Sequence, residues 1–182
     1  MVTKVPDHYR EESAEVFYVN SPMVRLDDRD LAFLREQAAR SPSGRCRLCF
    51  HESPGAPVHE MLIAHRRDTY VRPHMHVNRS ESFQVIDGEA TAVLFSEDGA
   101  IERSFRMTPP SGGGDFYYHL PGNTYHSLLI ETEMLLFFEV TTGPFDPAKT
   151  HYPEWAPRGE DADAVATFTA DLRRQTGKDA AP

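Results

Sequence analysis

The sequence has no apolar run approaching the ~20 residues of a membrane-spanning helix, which excludes a helical membrane anchor. Its first residues, Met1-Val2-Thr3-Lys4-Val5-Pro6-Asp7-His8, lack the apolar stretch of a secretory signal, so the expected location is the cytoplasm. An excess of positive charge is missing too. Lys and Arg number 19 against 28 Asp and Glu, a net charge of −9, which argues against nucleic acid as a partner. Cysteine is scarce. Cys46 and Cys49 form a CxxC, but Arg45-Cys46-Arg47-Leu48-Cys49-Phe50-His51 alternates like a strand and puts the thiols on opposite faces. Three residues of strand span about 10 Å, past the ~7 Å Cα limit of a disulfide, and no helical period follows. Two reduced thiols are expected.

What is present, in 182 residues, suits one well-buried domain. Asp27 or Asp28 caps a helix through about Arg40, with Leu31, Leu34 and Ala38 on one stripe and Leu26 and Phe33 helping it pack. Phe17-Tyr18-Val19 reads as a short edge strand. From residue 45 to 142 the chain reads as strands and turns, with strands over 45–51, 59–65, 70–76, 81–86, 89–95, 101–107, 115–120, 125–130 and 134–140. Asp87-Gly88 and Asp98-Gly99 are two-residue hairpin signals, because glycine tolerates positive φ. Many short strands at about ten-residue spacing, with no helix between, mean an antiparallel barrel or sandwich. A proline-rich arm follows, with Phe145 and Trp155 expected to anchor it, then a helix from about Asp161 to Gln175. Gly177 ends that helix, and the last few residues are expected to fray. The division is therefore 1–44 as a segment and helix on the barrel, 45–142 as the barrel, and 143–182 as arm and helix.

The chemistry gathers in His74-Met75-His76-Val77-Asn78-Arg79-Ser80-Glu81. Alternate side chains of a strand share a face, so His74 and His76 point together. Glu81 has the wrong parity for one continuous strand, but a turn at Asn78-Arg79-Ser80 returns it on a neighbouring strand. With His126 the set is three nitrogens and one oxygen, which suits one divalent transition metal (Fe, Mn, Co, Ni or Zn) rather than Ca or Mg.

The HxH, the glutamate, Gly88, and then Pro121 followed by His126 resemble the two-part signature of the cupin superfamily. The runs Val58-His59-Glu60-Met61-Leu62-Ile63, Tyr70-Val71-Arg72-Pro73-His74, Glu139-Val140-Thr141-Thr142-Gly143-Pro144-Phe145 and Trp155-Ala156-Pro157 resemble, more narrowly, the WbuC-type cupin fold metalloproteins of bacterial biosynthesis clusters. The likeness covers roughly residues 22–157. It implies an all-β, double-stranded β-helix (a cupin or jelly-roll barrel) with a helix at each end, and metal ligation by His74, His76, Glu81 and His126. Three positions depart from the general pattern: Asp68 and Asn123 stand where it has glycine, and Ile130 where it has asparagine. None is a ligand.

Around the metal, Leu128 and Ile130 share a face with His126, and Phe83 and Val85 with Glu81, giving an apolar wall. Arg72, in phase with His74 and His76, is expected to reach the cavity and hold an anionic group. Glu139, in phase with Leu135 and Phe137, is either a general base or a partner of a ligand histidine, and Tyr118 or His119 stands close before the last ligand. Arg45, Arg47 and His51 share a face with Cys49 and line either the pocket or a solvated strand face. The expected function is a metalloenzyme for a small polar or anionic metabolite, of isomerase, lyase or dioxygenase type, with Glu139, Arg72 and Tyr118 as catalytic candidates. The alternatives are a non-catalytic metal-dependent binder of a sugar or carboxylate, and a structural metal in an assembly module. A homodimer is expected, because pairing removes exposed edge strands.

Overall fold

Alternating apolar residues fold the chain into two packed sheets, seen in a computed structural model that describes residues 5–177. A hairpin of β1 (Tyr9–Ser13) and β2 (Val16–Val19) precedes α1 (Asp28–Arg40). The barrel strands are β3 (Arg45–Cys49), β4 (Val58–Arg66), β5 (Met75–His76), β6 (Glu81–Asp87), β7 (Ala90–Phe95), β8 (Ile101–Met107), β9 (Tyr117–Leu120), β10 (Tyr125–Ile130) and β11 (Met134–Thr142). A 3-10 turn at Pro147–Lys149 leads into β12 (Thr150–His151), and α2 (Ala162–Thr176) follows. The residues expected to fray, beyond Gly177, lie outside the described residues.

The larger sheet has the order β1-β2-β3-β4-β11-β6-β9 and the smaller β10-β7-β8, while β12 pairs with β5. From β6 onward the chain passes from large sheet to small and back (β6 large, β7 and β8 small, β9 large, β10 small, β11 large), which is the winding of a double-stranded β-helix. Met61, Glu139, Phe83 and Tyr118 stand abreast across four strands. Their face meets Ala90, Ala92, Leu128 and Ile130 of the small sheet in the barrel core.

Two further layers hold the outside. Phe33, Leu34 and Ala38 of α1 bury against Leu48, Leu62, Ala64 and Leu136, and the Asp27–Asp30 capping box fixes where that helix starts. Leu172 of α2 joins Val93, Phe95, Tyr125 and Leu129, with Trp155 packed against them. Cys46 and Cys49 are free and fall in different clusters, one under α1 and one in the barrel, as strand alternation requires.

Several local expectations need correction. Leu26 is 39% exposed and lies outside the cluster under α1, because it precedes the Asp27 cap. Phe17-Tyr18-Val19 is not an edge: β2 lies between β1 and a parallel β3. Asp87-Gly88 makes no hairpin, since β6 is already paired on both sides, by β11 and β9. Gly88, at φ 83, instead turns the chain from one sheet to the other. The strand expected over 70–76 shrinks to Met75–His76. Pro73 has no N–H to give a ladder, and the carbonyls of Tyr70 and Val71 accept from Arg45 and Ser127 side chains instead.

Candidate metal centre

His74 and His126 face each other across an isolated bridge, each N–H donating to the other's carbonyl at 3.1 and 2.9 Å. This joins β5 to β10 and brings the two imidazoles to 4.5 Å between ring centres. His76 follows on β5 at the same parity. Asn78 and Asn123, both left-handed at φ 53 and 66, then turn the chain and bond each other through side chain and backbone. Gly122 lets the two turns touch, for a Cβ there would lie 2.6 Å from the Arg79 nitrogen. The turn delivers Glu81 onto β6, in the other sheet. His74 and His76, at β5, and His126, on the bridged β10, thus meet Glu81 from β6 of the large sheet.

One ring nitrogen from each of His74, His76 and His126 lies within 4.8 Å of the others, so the three could hold a metal ion. The opposite nitrogens are occupied. Nδ1 of His74 donates to the Arg72 carbonyl at 2.7 Å, and Nδ1 of His126 to the Thr124 carbonyl at 2.9 Å. Nδ1 of His76 bonds Thr150 Oγ1 at 3.3 Å. The two carbonyls fix the tautomers of His74 and His126 and leave Nε2 as the free lone pair, while the Thr150 hydroxyl, which can donate or accept, orients the His76 ring. Glu81 sends Oε1 to 3.3 Å from His126 Nε2 and Oε2 to 3.6 Å from His76 Nε2. Tyr118, stacked on Phe83, donates its hydroxyl to Glu81 Oε1 at 3.1 Å. Three imidazoles and one carboxylate, each with an orienting partner, fit a divalent transition metal.

The electrostatics suit ligation. Burial, then the neighbouring imidazoles, pushes His74 down to about 3, and burial pushes His76 down to about 4, so both are neutral near pH 7. Burial works against charge on Glu81, but His126, then His74 and His76, hold it down to about 2. Burial also opposes charge on His126, and Glu81 outweighs it and raises that group. Glu139 sits deeper. Burial, then the Glu81 charge, pushes it up to about 7, where a carboxyl can take or give a proton near neutrality.

The histidines open into a cavity of about 240 Å³. Glu139 and Tyr118 line it, as do Arg45, Arg47 and His51. Arg72 does not. Its guanidinium donates to the Ala156 carbonyl at 3.1 Å and lies 4.8 Å from the Tyr152 ring centre, because the chain ahead of Pro73 is not strand and loses the parity. His119 is exposed on β9. Phe145 is 44% exposed and stands over Arg79, 5.5 Å away, at the cavity wall, so the arm is anchored by Trp155 and by the pairing of β12 with β5 rather than by Phe145.

Three residues of the site lie outside the sequence reading. Arg79 donates Nε to Thr141 Oγ1 at 2.8 Å, while its Nη1 is buried with no partner; its only signal was a place in the insert between ligands. Thr150 carries no sequence signal, since its role depends on β12 pairing with β5. His65 was legible in principle, for it is in phase with Met61 and Ile63 on β4.

Residues 26–107 match a family described as "Domain of unknown function (DUF6016)", a stretch that includes His74, His76 and Glu81 but ends before His126. No curated protein matches the chain. Among solved structures it is similar to the capsular polysaccharide assembling protein CapF of Staphylococcus aureus, at 14% identity over 59% of this chain and 30% of CapF, TM-score 0.49. It is similar to KdgF from Halomonas sp., at 17% identity over 60% of this chain and 87% of KdgF, TM-score 0.45. It is also similar to Bacillus subtilis oxalate decarboxylase, described with Mn(II) centres, at 20% identity over 53% of this chain and 24% of that enzyme, TM-score 0.42. The chain spans under a third of CapF and of oxalate decarboxylase. At these identities and TM-scores the likeness carries no activity or family to this chain.

Proposed function

We propose that the protein is a metal-dependent enzyme of cupin type that acts on a small anionic metabolite. The observation that carries this is the convergence of three ring nitrogens within 4.8 Å, each imidazole oriented through its other nitrogen, beside Glu81 and on the wall of a cavity. His74, His76, His126 and Glu81 would hold the ion, and a divalent transition metal (Fe, Mn, Co, Ni or Zn) held there supplies Lewis acidity or a place for O₂. The narrower likeness to WbuC-type proteins is supported by the sequence runs that carry it.

The chain's own residues divide the remaining work. Arg79 offers the unpaired Nη1 to a substrate anion beside the histidines. Glu139 takes or returns a proton at its carboxyl, which its surroundings poise near neutral pH. Tyr118 positions Glu81 rather than touching substrate. Phe83, Phe137 and Leu128 form a wall that excludes water and strengthens each of these interactions.

Elemental analysis of protein purified without added metal or chelator tests the reading. About one transition-metal ion per chain is expected, with most of it lost in His76→Ala and His126→Ala. Full metal content in both variants would overturn the assignment. We further propose a cytoplasmic homodimer, supported by the two sheet edges that β1 and β9 leave open. Sedimentation at micromolar concentration as a 20.6 kDa monomer would exclude it.

A further inference from the structure

The cavity has a second polar pole, away from the histidines. Arg45 on β3 and His65 on β4 stand opposite each other in the strand register, and both line the cavity. His65 is 9% exposed, yet its Nδ1 has no partner, and Nε of Arg45 is buried in the same condition. Buried polar atoms are nearly always paired, and each exception calls for an explanation. Arg45 spends one Nη2 bond on the Tyr70 carbonyl at 3.1 Å, and among the described residues it forms no ion pair. Glu15, the carboxylate whose charge feels Arg45, bonds the hydroxyls of Ser41 and Ser43 instead, each at 2.7 Å.

The pole faces the metal centre along one wall. On β4, His65 is six residues beyond His59, which stands level with Thr141 and so with Glu81. Tyr70, whose carbonyl Arg45 holds, precedes His74 by four residues, a chain that spans at most about 14 Å. The wall between is apolar, with Ile63, Val71, Leu128 and Phe137. At about 240 Å³ the space is smaller than the ~300–1,000 Å³ typical of pockets for drug-sized ligands. Nε of Arg45 can only donate, so what reaches it must be an acceptor, and the unpaired cation asks for an anion. Burial, then Arg45, pushes His65 down to about 3, so the ring is neutral and adds a hydrogen bond without adding charge.

We infer that the cavity takes a small, elongated organic acid by both ends, its head at the histidine centre and Arg79, its anionic tail at Arg45 and His65, and an apolar chain between. The head half rests on the metal reading above, while the tail half stands on the unpaired nitrogens. The ligand class is therefore an acid with two separated anionic groups, and Arg45 is the residue that selects for the second.

The test uses the full chain, its metal content measured on the same sample, titrated with the straight-chain dicarboxylates from succinate to suberate and with monocarboxylates of equal length. Binding is read by calorimetry, and the tail by NMR signals of the Arg45 Nε–H and the His65 ring. At least one dicarboxylate is expected to bind tenfold or more tightly than its monocarboxylate counterpart, and to move both signals. Arg45→Met should remove that preference, leaving metal content unchanged and monocarboxylate affinity within twofold. Arg45→Lys, which keeps the charge but lacks Nε–H, should reduce it. Equal affinity for the two series, absence of binding by any member, or a preference that survives Arg45→Met would overturn the inference. A metal-free sample whose Arg45 and His65 signals still respond to dicarboxylate would refute the metal centre while upholding the tail site.

Discussion

Replacing Tyr118 by phenylalanine isolates one hydrogen bond of the metal centre. The ring stays, so its stack on Phe83 at 5.0 Å and its edge contact with Phe105 at 5.8 Å are retained. Only the hydroxyl goes, and with it the 3.1 Å bond to Glu81 Oε1. A hydrogen bond to a charged group contributes about 1.5–3 kcal/mol. The bond exists with or without metal, so the loss divides between two observables. To the extent that Tyr118 aims the carboxylate at the ion, metal affinity falls, by about 10–100-fold if the effect is that of other residues that orient ligands. The remainder appears in the metal-free fold, where each 1 kcal/mol lowers Tm by about 2–4 °C in a chain of this size. Competition with a chelating dye measures the first and a thermal melt of chelator-treated protein the second. A variant with metal affinity within twofold of wild type and an unchanged metal-free Tm would refute the positioning role.

Thr150→Val keeps the shape of the side chain but removes the Oγ1 bonded to His76 Nδ1; metal affinity should fall about tenfold or more, and an unchanged chelator competition would contradict this. Burial pushes Cys46 up to about 12 and Cys49 up to about 11, so at pH 8 neither thiol should react with a thiol reagent until the protein unfolds. The metal-free protein should lose stability as pH falls below neutral. Folded His65, His74 and His76 titrate at about 3, 3 and 4, against an ordinary 6.5. Below 6.5 the unfolded chain therefore binds more protons, and stability present above that pH is lost on acidification. Glu139, its contribution lost as pH rises from 4.5 to about 7, and His126, also raised in the folded chain, act in the opposite sense. They are outweighed by these three imidazoles together with His51 and His59, which burial also lowers. A urea midpoint that stays level or rises from pH 7 to pH 5 would show the histidines to be solvated.

Period-two reasoning found the barrel because it concerns one strand at a time. It placed Cys46 and Cys49 on opposite faces, put Phe83 and Val85 inside with Glu81, and brought Glu139 to the cavity. It failed where a residue's direction depends on a partner distant in sequence. Arg72 was assigned by continuing a strand through Pro73, but the backbone there is held by Arg45 and Ser127 side chains. Asp87-Gly88 has the composition of a hairpin, yet whether a glycine turn joins paired strands or crosses between sheets is decided by the neighbours β6 already has. Thr150 was out of reach for the same reason. The convergence of His74, His76 and Glu81 was legible, because two histidines of one parity and a displaced glutamate form a local pattern.

The pairing of β12 with β5 has a consequence for the order of assembly. Synthesis delivers His74, His76, Glu81 and His126 first, and the barrel strands that carry them are complete by Thr142. Thr150, which bonds His76 Nδ1, leaves the ribosome only afterwards. If the histidines hold a metal ion as proposed, a nascent barrel lacks the bond that orients His76 and would hold an early ion more loosely than the finished protein. On that proposal the arm would act as a late latch, orienting the third imidazole once the chain through His151 has been made.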